Sequence, residues 1–107
     1  MSIIFYDHII DKTDLDTYLN NLEAPPENKN KIKAMADDIL HAGILEFILQ
    51  KLHPHHHHTF LNRVEQVPYD PELIQYLKDH IDDQIELEIQ KEANRLKKLI
   101  LKDLKNP

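Results

Sequence analysis

The stretch YDPELIQYLKDHIDDQIELEIQKEANRLKKLILKDLK, residues 69–105, decides how this chain is read. After Pro71 it runs to Lys105 without a glycine or another proline. The pattern predicts one helix over 71–105. Asp70 can accept from the free N–H groups of a first turn, and Pro71 suits the first helical position, where no N–H is needed. Glu72 puts negative charge at the positive end of the helix dipole. Tyr69 and Ile74 have the spacing of a hydrophobic staple. At the far end stand Arg95, Lys97, Lys98, Lys102 and Lys105, the favourable sign there, before Pro107.

The apolar stripe is Ile74, Leu77, Ile81, Ile85, Ile89, Ala93, Leu96, Ile100 and Leu104, with a mean spacing of 3.75 residues. That exceeds the ~3.5 of a left-handed two-stranded coiled coil, so a plain zipper is disfavoured and the stripe creeps round the helix. At ~1.5 Å per residue such a helix would be ~50 Å long. A domain of this size has a radius of gyration of about 13 Å. The helix should therefore overhang its domain with Leu96, Leu99, Ile100, Leu101 and Leu104 uncovered. A second copy of the chain is the simplest cover. The opposite face carries Glu72, Asp79, Asp82, Asp83 and Glu86, which fall within a sector of roughly 100°. It reads first as a solvated acidic face and second as a docking surface for a basic partner; carboxylates on one face enclose a cation poorly.

Composition narrows the choices. A chain of 107 residues is one domain, or a small domain with an arm. Apolar residues make up 41%, enough for a core, while one glycine and no tryptophan suit an all-α protein. No apolar run approaches the ~20 residues of a membrane span, and no secretory leader is expected. Without cysteine there is no disulfide, thiol chemistry or cysteine-based zinc site, and a cytoplasmic setting is the default expectation. The net charge of −6 argues against general nucleic-acid binding. It is uneven: −4 over 1–67, −6 over 68–92 and +4 over 93–107. The basic end reads as dipole compensation first and as a contact for phosphates or an anionic membrane second.

Residues 1–12 hold Ile3-Ile4-Phe5-Tyr6 and Ile9-Ile10, too short to assign by period: a first helix, or an extended arm on the core or on another subunit. Thr13-Asp14-Leu15-Asp16 resembles a capping box opening a short helix over 14–23. Ala24-Pro25-Pro26 breaks it. The next helix, 27–52, carries Ile32, Met35, Ala36, Ile39, Leu40, Gly43, Phe47, Ile48 and Leu52 on a helical stripe. Ile44, Leu45 and Leu49 widen it, as for a central helix touched on several sides. Gly43 costs about 1 kcal/mol against alanine in mid-helix, which suggests a close neighbour. A Pro54-led helix over 54–67 buries Phe60, Leu61, Val64 and Val67.

His53 and His55–His58 are the one stretch that looks chemical. Imidazoles bind Zn, Ni, Cu and Co, and His53 with His57 or His55 with His58 could chelate on a helix. The run lies between two helical segments. No His-Glu-x-x-His order accompanies it. The plain reading is a polar first turn. The sharper ones are a metal site at His53, His55, His56, His57 and His58, with weak Zn or Ni affinity in any case, and a surface that gains charge below neutral pH. His8, His41 and His80 look isolated. The single serine, Ser2, and the lack of a glycine-rich loop leave little for enzyme chemistry.

The order of elements resembles a group of small acidic helical bacterial proteins known as a domain of unknown function. The shared features here are Leu15–Leu22, Pro26-Glu27, Ile32–Leu52, Pro54 with Phe60-Leu61, and Pro71-Glu72 onward. The resemblance covers about Leu15 to Ile100. It implies a helical fold and brings no activity or site. Where that group has acidic residues after the proline of the short helix, this chain has His55–His58.

The sequence thus specifies an all-α bundle of about four helices with a long final one: an arm over 1–12, then one domain over 13–107. The leading functional expectation is a small, soluble, non-enzymatic protein–protein interaction module that pairs as a homodimer and meets an unidentified protein. Leu96, Leu99, Ile100, Leu101, Leu104 and Gly43 are its candidate contacts. The alternative is a metal-binding protein that uses His53–His58. No resident cofactor, nucleic acid or membrane span is expected.

Overall fold

A computed structural model describes residues 4–6 and 8–105, so the expectations for Ile3 and Pro107 lie outside the described residues. The described residues form five α-helices: α1 (Thr13–Asn20), α2 (Pro26–Lys51), α3 (His57–Gln66, entered through a 3₁₀ turn at Pro54–His56), α4 (Glu72–His80) and α5 (Ile85–Lys105). No strand is present among the described residues. α2 and α5 pack antiparallel and form the spine. Lys51 reaches Glu88 at 3.6 Å, and eight residues back along α2 Gly43 meets Leu96, eight residues forward along α5. The core stripe of α2 is Ala36, Leu40, Ile44 and Ile48; that of α5 is Ile85, Ile89, Ala93 and Ile100. Phe60 of α3, and Leu73 and Leu77 of α4, close the same core.

The single helix expected over 71–105 is two. It breaks at 81–84, where Ile81 has φ −119° and ψ −81°. Local hydrogen bonds hold the turn there. Asp82 Oδ1 accepts from the Gln84 N–H at 2.8 Å, and the Asp82 carbonyl accepts from Ile85 at 3.4 Å. Aspartate in this geometry offers the backbone an alternative to continuing a helix. Asp70 does the same ahead of α4, accepting from Glu72 at 2.9 Å, as its place before Pro71 led us to expect. Asp11 does it ahead of α1, accepting from Thr13 at 2.9 Å, so the expected cap at Thr13 is supplied two residues earlier. The Thr13 hydroxyl first, and then this backbone bond, hold the Asp11 carboxyl below its ordinary range. The staple is absent: Tyr69 is exposed while Ile74 turns into the core.

The break removes the overhang. α5 is 21 residues and lies along α2 inside a molecule 45 × 24 × 21 Å. Its buried face passes through Lys97, not Leu96: the Lys97 stem is covered and its ammonium donates to the Asp11 carbonyl. The acidic sector dissolves too. Asp82 becomes a helix start, and Glu86 pairs with Lys78 at 2.6 Å across the break. Phe5 and Tyr6 stand in a turn against the chain's own core, the Ile9 N–H donating to the Tyr6 carbonyl at 2.9 Å. Phe5 and Tyr6 are buried, the Phe5 N–H donates to the Pro68 carbonyl at 2.7 Å, and the Phe5 ring meets Phe60 edge-on at 5.9 Å. Tyr6 stacks on His41, and its hydroxyl lies 2.5 Å from His41 Nδ1, so His41 is a packed boundary residue.

Candidate functional site

Two surfaces stand out. The first is the outer face of the α2–α5 pair. An open groove there is lined by Gly43, Glu46, Phe47 and Gln50 of α2 and by Glu92, Arg95 and Leu96 of α5. Residues three and four apart share a helix face. The same face therefore continues along α2 to Ile39 and Met35 and along α5 to Leu99. Those three are 53%, 63% and 46% exposed, large apolar side chains open to solvent. A Cβ on Gly43 would sit 2.8 Å from Leu96 Cδ1, so the glycine is what lets Leu96 lie against α2. Arg95 is held by two bonds to Glu92, at 2.8 and 2.6 Å, which lower the Glu92 pKa and raise that of Arg95.

Of the contacts expected from sequence, Gly43, Leu96 and Leu99 come together on this face. Ile100 does not: it is 6% exposed and part of the core, because α5 turns back onto α2 instead of projecting. Leu101 and Leu104 pack half-buried at the core edge. Met35 and Ile39 of the expected α2 stripe lie outside the core, as do Leu61 and Val67, which the sequence pattern buries and the structure leaves 39% and 38% exposed. The signal was the excess width of the α2 apolar surface: one helix has more apolar sides than this chain has neighbours for.

The second surface is the histidine cluster. His57 is structural. Its Nε2–H donates to the carbonyls of Leu49 and Leu52, both at 2.7 Å, and so closes the C-terminal end of α2. His53 opens the next element, Nδ1 accepting from the His55 N–H at 3.1 Å. The His53 and His55 rings stack at 4.6 Å. His56 lies against His80 with centroids 4.2 Å apart, and His80 against Tyr76 at 4.4 Å. Arg63 covers the Tyr76 ring at 5.2 Å. Partial burial, then the neighbouring His80, His53 and His55, push the His56 pKa down. The five residues 53 and 55–58 thus do not act as one set: two serve the backbone, His58 is exposed, and His80, which looked isolated, joins the cluster. Among the described residues no three His, Asp or Glu side chains converge as a metal site.

No family model, curated protein or solved structure matches the chain, and the resemblance to small helical bacterial proteins neither gains nor loses by it. Among the described residues no helix is long and apolar enough to cross a membrane.

Proposed function

We propose that the chain is a non-catalytic helical interaction module that pairs with a second copy of itself through the outer face of α2 and α5. The observation that carries this is the line of exposed apolar residues, Met35, Ile39 and Leu99, running into the open groove at Gly43 and Leu96. Apolar side chains in a row beside a groove gain from burial at about 25 cal/mol per Å² of covered surface. A two-fold axis presents the same patch from both copies, so the apolar row meets its own equivalent. The rim carries both signs, Glu46 on α2 and Arg95 on α5. A two-fold can set each across from the other, which fixes orientation more than it adds affinity.

The test is solution mass by light scattering on the full chain at tens of micromolar. The wild type is expected at twice its 12.7 kDa, and Ile39→Glu and Leu99→Lys at the monomer mass with their helicity intact. A monomeric wild type at that concentration refutes the reading. So does a dimer that both substitutions leave intact.

A further inference from the structure

Six histidines gather where the 3₁₀ turn, the start of α3 and the end of α4 meet, and four are accounted for. His57 is spent on two carbonyls, His53 on the His55 N–H, His55 is stacked on His53, and His58 stands exposed. His56 and His80 differ. They come from separate elements, their rings touch at 4.2 Å, and among the described residues neither ring nitrogen of either makes a hydrogen bond. Imidazole lone pairs not engaged by hydrogen bonds are available to borderline metal ions.

We propose that His56 and His80 together bind a divalent transition-metal ion of the Zn, Ni, Cu or Co class, one nitrogen from each, and so clasp the end of α4 to the turn that starts α3. Water supplies the remaining coordination positions, as it does in open zinc sites. The rings lie face to face at 36° to one another, and turning one of them lets a nitrogen from each meet a single ion. His80 is exposed and is the last residue of α4, where its side chain has room to do so. Two surroundings favour a cation there. The carbonyl end of α4 carries the negative end of its dipole, and Asp79, Asp82 and Asp83 flank His80 in the chain. A metal also needs neutral imidazole. This site differs from a chelating histidine run, because one ligand comes from 24 residues further along the chain. It does not depend on self-association.

The test titrates the full chain with ZnCl₂ or NiSO₄, by calorimetry and by histidine ring NMR, in wild type, His80→Gln, His56→Gln and His58→Gln. Removing either proposed ligand should weaken binding about tenfold or more, while His58→Gln changes it less than about twofold. The ring signals of His56 and His80 should move together as metal is added. Circular dichroism confirms that each variant keeps its helices; the NMR readout on the wild type is independent of the variants. The proposal is overturned if His80→Gln binds as tightly as wild type, or if metal shifts the ring signals of the run and leaves those of His80 in place.

Discussion

His57 and His58 are adjacent and alike in sequence, yet mutation should cost far more at the first than at the second. His57 donates to two carbonyls at the end of α2, groups that otherwise have no helical partner. His57→Ala should lower the free energy of unfolding by about 1–2 kcal/mol, since a buried carbonyl left unpaired costs that much. His58→Ala, at an exposed position, should change it by less than about 0.5 kcal/mol. Urea midpoints at pH 7.5 decide between them. His56 gives the pH dependence. Its folded pKa lies below the ordinary 6.5, so the unfolded chain takes up the proton first as pH falls. Stability is therefore present above about 6.5 and is lost on going below it, until the folded group also protonates. The drop in urea midpoint between pH 7.5 and 5.5 should be smaller in His56→Gln than in wild type.

Three helices open on the same device: an aspartate that accepts from the N–H two residues on, at Asp11, Asp70 and Asp82. Asp70 was legible because Pro71 follows it. Asp82 was not, because Asp-Asp-Gln inside a run of good helix formers carries no proline or glycine to mark a boundary, and the apolar spacing continues across it from Ile81 to Ile85. The break is decided by tertiary packing: a continuous helix would strand its second half away from α2, while a turn at Asp82 lets Ile85, Ile89 and Ala93 reach the core. Local capping then makes that turn affordable. Asp82→Ala should cost about 1 kcal/mol, Asp82→Asn appreciably less, because the amide oxygen still accepts. Hydrogen exchange at Gln84 should speed up in the alanine variant and stay slow at Ile89. An unchanged Gln84 rate in Asp82→Ala would mean that packing alone sets the boundary. The wide apolar surface of α2 was legible as a helix with several neighbours; which of its sides lacks one required the positions of α1, α5 and the arm.

Across the whole molecule, the folding back of α5 changes what self-association would rest on. Leu96, Ile100, Leu101 and Leu104, expected to overhang, lie against the chain's own core, and Leu99 of that set stays exposed. What is left for a partner is a smaller row on the outer face, so pairing and folding separate: residues of the row should affect mass and not stability, residues of the core the reverse. The N-terminal arm gives the clearest case of the second kind. Phe5 is 3% exposed, contacts Phe60 and Tyr6 edge-on at 5.9 and 5.2 Å, and stands in a turn tied through its N–H to the Pro68 carbonyl. An arm held in its own core contributes at every concentration; an arm exchanged with another copy would contribute only where copies meet. Phe5→Ala should therefore cost about 3–5 kcal/mol, the range for truncating a buried phenylalanine, and the loss should be the same at 2 and 200 micromolar, concentrations of roughly these orders. A cost of that size is a large fraction of the 5–15 kcal/mol that is typical for a domain, roughly speaking, so the variant should unfold well below the wild-type midpoint in urea. A loss that grew with protein concentration would instead show the arm crossing between copies, and would favour the arm over the proposed α2–α5 face as the place of pairing.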